Sequence, residues 1–187
     1  MLSCKINDDL ELKLLENRHA EEMFLLVDSN RSRLREWLPW LDGTVSVEQS
    51  REFIRMSLKT FAENHGLYLG IFQQSRLAGC VSLNHIDWSN RKTTIGYWLS
   101  EDYVGRGTMT AACRTLIDYV FNELLLNRVE IRAAVRNVKS RAIPERLGFV
   151  QEGIVRQAEW LYDHYVDHVV YGMLREDWQP GGASSAD

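Results

Sequence analysis

The stretch Tyr97-Trp98-Leu99-Ser100-Glu101-Asp102-Tyr103-Val104-Gly105-Arg106-Gly107-Thr108-Met109-Thr110-Ala111-Ala112 runs from an extended aromatic segment through a glycine-bearing loop into a helix. From Met109 onward, apolar residues recur at Ala112, Cys113, Leu116, Ile117, Val120, Phe121 and Leu124, the spacing of one buried helical face. At the start of that helix, unpaired backbone N–H groups and the positive end of the peptide dipole converge, and Gly105 and Gly107 let a ligand approach closely. The layout predicts an anion seat suited to a diphosphate. Glycines between a strand and a helix also serve as plain turn chemistry, and both readings are open at this point. Two common nucleotide motifs are excluded. A dinucleotide fingerprint needs a third glycine where this chain has Thr110, and a P-loop needs Gly-Lys-Ser/Thr, which does not occur.

Outward from this centre, composition narrows the classes. The chain has 187 residues, 45% of them hydrophobic, which predicts one globular domain over residues 1–178 with a small polar, disordered tail over 179–187. A formal charge of −4 with mixed signs offers no basic stripe, which argues against direct nucleic-acid binding, so acidic ligands must be met by local charge. Cys4, Cys80 and Cys113 form no CxxC pair and read as reduced thiols. His164-x-x-x-His168 has a metal-ligand spacing, but its segment alternates like a strand and lacks the HExxH glutamate, so no metal site is expected. Neither a bilayer-spanning apolar run nor a signal peptide is visible, which makes the cytoplasm the expected compartment and excludes the membrane as a partner.

Periodicity predicts a strand at 10–14, a helix at 20–27 giving way around 28–30, and a helix at 46–64 opened by the capping box Ser46-Val47-Glu48-Gln49. Strands follow at 67–72, 77–85 and 92–99, then the long helix, a strand at 129–135, a short helix at 139–147 ending at Gly148, and strands at 149–155 and 165–174. Pro144 lies within the short helix, where it is expected to cost one first-turn hydrogen bond. The segment Leu34-Arg35-Glu36-Trp37-Leu38-Pro39-Trp40, apolar yet broken by proline, reads either as an arm over a cleft or as a plug at the edge of the core.

Three features now coincide: the glycine turn with its helix, a strand ending in Arg136-Asn137-Val138-Lys139-Ser140, and a short helix closing on Gly148-Phe149. Together with Trp37-Leu38-Pro39-Trp40 and Ile95-Gly96-Tyr97-Trp98-Leu99, they make nearly the whole chain resemble the GCN5-related N-acetyltransferase (GNAT) family, in its RimJ/RimL-type ribosomal-protein N-terminal acetyltransferase branch. The family's cofactor motif, Gln/Arg-x-x-Gly-x-Gly/Ala, falls on Val104 to Met109. Only Gly107 matches a fixed position, while Val104 and Met109 depart from it, although the donors required are backbone N–H groups.

The resemblance implies an α/β (α+β) GNAT fold: a central mixed, mostly antiparallel sheet of about seven strands, splayed between its fourth and fifth and flanked by helices. It further implies acetyl coenzyme A (acetyl-CoA) wedged into the splay, held by Trp98 and Leu99 backbone groups, by Val104, Gly105, Arg106, Gly107, Thr108 and Met109, and by Asn137 and Ser140. Asn137 also reads as an ordinary turn residue, and Ser140 also as a helix cap. As the hydroxyl between Asn137 and Gly148, Ser140 is the candidate acid for the leaving thiolate, and Glu159 is the base that the branch suggests, with Asp87 and Glu101 open. Trp37, Trp40 and Trp160 are candidate acceptor contacts. The implied reaction is acetyl transfer to a primary amine, foremost a protein N-terminus of the ribosomal L7/L12 type. A small amine, such as an antibiotic or polyamine, is a rival acceptor, and a non-catalytic acyl-CoA-binding module is a second rival. Relatives form dimers, so a homodimer is expected.

Overall fold

The computed structural model describes residues 3–179. The expected tail lies outside them from residue 180 onward. Eight strands form one sheet in the order β1-β2-β3-β4-β5-β6-β8-β7. They are β1 (Ser3–Lys5), β2 (Leu10–Leu14), β3 (Leu67–Gln73), β4 (Arg76–Asp87), β5 (Lys92–Leu99), β6 (Arg128–Ala134), β7 (Val150–Leu161) and β8 (His164–Leu174). The helices are α1 (Ala20–Ser29), α2 (Arg31–Arg35), α3 (Val47–Ala62), α4 (Thr108–Asn122) and α5 (Val138–Arg146). The extra strand relative to expectation is β1, three residues paired to β2, too short to show an alternating pattern.

Every neighbouring pair is antiparallel except β5 with β6, which run parallel because α4 carries the chain across between them. That pairing holds only from Lys92↔Arg128 to Ile95↔Ile131. Beyond it β5 continues to Leu99 and β6 to Ala134 without pairing to each other, so the sheet opens there. This is the splay that the resemblance implies.

Two apolar clusters sandwich the sheet. The larger joins Leu69, Val81, Ile95, Val129 and Ile131 to the α4 face of Met109, Ala112, Cys113, Leu116, Ile117, Val120 and Phe121. The second joins Phe72, Leu77 and Cys80 to Ala20, Met23 and Val27 of α1, Leu34 of α2 and Ile54 of α3. Consecutive strand residues such as Leu77 and Ala78 enter different clusters, as side chains alternating across a pleat must. The β3–β4 hairpin turns on Gln74 and Ser75 at φ 51° and 64°, the left-handed pair whose twist suits a two-residue hairpin.

Several local expectations change. No capping box forms at α3: the Ser46 hydroxyl donates to Gln49 Oε1 at 2.5 Å instead of capping backbone N–H groups. The strand expected at 149–155 runs on to Leu161 through register shifts between Gln151 and Gly153 and between Val155 and Glu159. Glu159 therefore lies within β7, beyond the end of the strand expected at 149–155. Pro144 sits in the interior of α5, past the first turn.

Candidate active site

The opened sheet, the loop before α4, the start of α5 and the α2 arm enclose one cavity of about 1450 Å³. It is lined by Gly96 to Leu99 of β5, Arg132 to Ala134 of β6, Val104, Gly105 and Gly107 to Ala111, Asn137 to Ser140, Arg33, Leu34, Glu36 to Pro39, Glu159 and His168. Charge is concentrated here. Arg33, Arg114, Arg132, Arg136, Lys139 and Arg146 line the cavity against the two carboxylates Glu36 and Glu159, in a chain of net −4, so an anion is attracted locally.

At the expected anion seat, Gly105 and Gly107 have φ of +81° and +76°, and a Cβ on either would meet nothing within 4 Å. Gly107 occupies the position before α4, and the first recorded turn bond runs from Ala111 N–H to Gly107 O at 3.0 Å. The N–H groups of Thr108, Met109 and Thr110 thus precede the helical ladder and face a site with room for a ligand. Val104 and Met109 line the cavity despite their departure from the family pattern. Arg106 does not: its guanidinium lies 5.8 Å from the Tyr103 ring centroid.

Trp98 and Leu99 pair with Cys80 and Gly79 of β4 on one side and border the cavity on the other. The Leu99 carbonyl accepts a bond from Arg33 Nη2, which ties α2 to the end of β5. Across the gap, Asn137 Oδ1 accepts from the Ser140 N–H at 3.1 Å. Asn137 is therefore the cap of α5, and the capping role offered for Ser140 falls to it.

The Ser140 hydroxyl donates instead to Tyr97 Oη at 3.4 Å, while Tyr97 Oη donates to the Ser140 carbonyl at 2.9 Å. Pro144, four residues on, has no N–H to give that carbonyl, so the phenol replaces the missing helical bond. Burial raises the Tyr97 phenol above its ordinary value and keeps it protonated. Tyr97 was not singled out from the sequence; the signal available was Pro144, which leaves a carbonyl to be satisfied.

Glu159 lines the cavity, and its Oε2 lies 3.4 Å from His168 Nε2. His168, considered earlier only for metal spacing, is thus part of this wall. His164 turns elsewhere, its Nδ1 2.6 Å from Asp163 Oδ1. Among the described residues no group of three or more His, Cys, Asp or Glu side chains is placed to hold a metal. Asp87 and Glu101, the other carboxylates considered, do not line the cavity.

The aromatic candidates divide. Trp37 is half-buried in the cavity wall, whereas Trp40 is 38% exposed with its ring 6.2 Å from Trp98 and does not line the cavity. Trp160 is exposed, against Tyr165 at 4.8 Å. The Leu34 to Trp40 segment is an arm over the cleft that also carries a core anchor at Leu34. It is pinned by Tyr162, whose hydroxyl donates to Leu38 O at 2.6 Å and accepts from Leu41 N–H at 3.2 Å.

A splayed sheet with a helix N-terminus at its opening, and with a hydroxyl and a carboxylate lining the same cavity, has the form of an acyl-transfer fold. The acetyltransferase (GNAT) domain model matches residues 9–150, and the chain belongs to this family of N-acetyltransferases, in its RimJ/RimL-type branch. It is 41% identical over 180 residues to Bacillus subtilis (strain 168) YdaF, named provisionally as a ribosomal N-acetyltransferase; the match covers 96% of this chain and 98% of that one. It is similar to the structure of RimL, the ribosomal L7/L12 alpha-N-protein acetyltransferase in complex with coenzyme A, with a TM-score of 0.90 and 28% identity over 94% of this chain and 99% of that one. It is also similar to the microcin C7 self-immunity acetyltransferase MccE in complex with acetyl-CoA and AMP, with a TM-score of 0.88 and 32% identity over 91% and 94% of the two chains.

Proposed function

We propose that the protein transfers the acetyl group of acetyl-CoA to the N-terminal α-amino group of a ribosomal protein, of the L7/L12 type, by direct attack of the amine on the thioester. The observation that carries this reading is the single cavity that joins the open seat at Gly105 and Gly107 to Ser140 and Glu159. The diphosphate would rest on the N–H groups at the start of α4. The pantetheine arm would lie along Trp98 and Leu99, with Asn137 opposite.

Within that arrangement Glu159 accepts the proton that the ammonium must lose, the amine nitrogen bonds to the carbonyl carbon, the carbon–sulfur bond breaks, and the thiolate takes a proton from Ser140, whose oxygen regains one from the nitrogen as the amide forms. A backbone N–H near Leu99 faces the oxygen on which negative charge develops. Cys80 and Cys113 are not nucleophiles in this scheme, because burial raises both thiols and keeps them protonated.

The named RimL structure and YdaF support the ribosomal acceptor. The likeness to MccE, whose structure holds AMP, favours a small-molecule amine as the second reading. Both are tested by incubating the protein and acetyl-CoA with ribosomal-protein extract and with small amines, following thiol release and the mass of each acceptor. Acetyl gain on a ribosomal protein N-terminus alone supports the first reading, and gain on a small amine alone replaces it with the second. Coenzyme binding with no product from any amine overturns both in favour of an acyl-CoA-binding module.

A single domain working in the cytoplasm suits free Cys4, Cys80 and Cys113 and the fact that no helix among the described residues is long and apolar enough to cross a membrane. A homodimer is supported by the edge strand β7, whose Val150 and Ile154 are 62% and 55% exposed; sedimentation equilibrium at micromolar protein gives the mass that decides it.

A further inference from the structure

We propose that His168 is a positioning residue for Glu159, fixing the carboxylate that takes the proton of the incoming amine; the inference rests on the role given to Glu159 above. The two side chains are 16% and 30% exposed, both line the cavity, and His168 Nε2 stands 3.4 Å from Glu159 Oε2.

The backbone is built to bring them together. His168 lies in β8, an interior strand, opposite Ala134 of β6 and Val155 of β7. On an unbroken ladder the next rung on the same face, at Val166, would carry Gln157. The structure instead pairs Val166 with Glu159, because β7 holds an excess of residues between Val155 and Glu159. Without that bulge Glu159 would lie one rung further along, about 7 Å away at two residues per rung. The bulge is itself anchored: Gln157 takes φ +48°, and its N–H donates to Asp167 Oδ1 at 2.7 Å.

A glutamate carries three rotatable bonds, and a base serves only when its oxygen is held at the amine. With a proton on Nε2, the imidazole attracts Oε2 and leaves Oε1 facing the cavity. The amine proton passes to Oε1, and the imidazole keeps its own.

The test uses the full-length protein, acetyl-CoA and whichever acceptor the screen above returns. H168L is expected to lower kcat about tenfold with KM for acetyl-CoA unchanged, since the contact serves orientation. H168Q, whose amide nitrogen reaches close to the place of Nε2, is expected to recover kcat to within about threefold, while the shorter H168N is not. In an E159Q background H168L should add less than about twofold, because the two act as one unit. An independent readout needs no acceptor: the ring nitrogen resonances of His168 should move on E159Q.

An unchanged kcat in H168L beside an impaired E159Q, equal activity of H168Q and H168N, losses that multiply, or unmoved ring resonances would each overturn the proposal. An E159Q enzyme as active as wild type would instead remove Glu159 as base, a separate outcome. If H168L does not fold, the contrast between H168Q and H168N carries the decision.

Discussion

At Pro144 the chain gives up one backbone donor inside a helix, and a tyrosine from a neighbouring strand makes good the loss. The Tyr97 hydroxyl, bonded to the Ser140 carbonyl at 2.9 Å and receiving the Ser140 hydroxyl at 3.4 Å, couples the integrity of α5 to the orientation of the candidate acid. Y97F should cost about 1–2 kcal/mol in denaturant unfolding, because it leaves a half-buried carbonyl unsatisfied. Its kcat should fall less than that of S140A, which removes the hydroxyl altogether. For Glu159 the sign of the pH effect follows from the amine. Below the pKa of an α-amino group, about 8, the acceptor is mostly ammonium and needs a base, and above it the neutral amine is already present. The ratio of wild-type to E159Q rates should therefore be largest at acidic pH and narrow toward pH 9. A pH-independent ratio would remove Glu159 from proton transfer.

At the scale of elements, the turn into α4 was legible because glycine and helical periodicity report backbone directly. Gly107 at φ +76° with open space where a Cβ would stand has the form expected of an anion seat. G107A should therefore combine backbone strain of about 1–2 kcal/mol with a methyl group in the seat. Calorimetry should show the Kd for acetyl-CoA raised about tenfold or more, while the far-ultraviolet spectrum stays that of the wild type. The long helix and the hairpin could be read from the sequence for the same reason, each being written in local periodicity, whereas the parting of β5 from β6 came from the family resemblance. The bulge in β7 could not, because a register shift is decided by which residues of β8 it must meet. That is why Glu159 fell outside the expected strands and His168 was weighed only as a metal ligand. The capping box at Ser46 misled in another way, since Gln49 competes for the same hydroxyl and wins. Trp160, offered with Trp37 and Trp40 as an acceptor contact, follows Glu159 directly, and alternation along β7 carries its ring outward to Tyr165.

Over the whole molecule, charge outside the cavity is paired into ion clusters that join neighbouring elements. Away from the cavity, Arg128 bonds both Glu130 and Glu152, linking β6 to the edge strand β7. The Arg128 guanidinium holds the Glu152 carboxyl below its ordinary value. A carboxyl lowered in the folded state lends stability that is complete above its unfolded value and lost as pH falls through the folded one. Urea midpoints measured from pH 6 downward should thus fall more steeply for the wild type than for R128Q, with the difference confined to the acid side of the carboxylate range. Equal slopes would show that the pair contributes nothing to acid sensitivity. The parting of β5 from β6 after Ile95 and Ile131 has a wider consequence. Past those rungs the two halves of the sheet do not pair with each other, so a molecule lodged between them acts as mortar as well as reactant. At a hundredfold excess over its Kd such an occupant adds about 2.7 kcal/mol to the folded state. The durability of the enzyme in a cell is thereby tied to the supply of its own acyl donor, and starvation for that donor would shorten its life before it slowed its work.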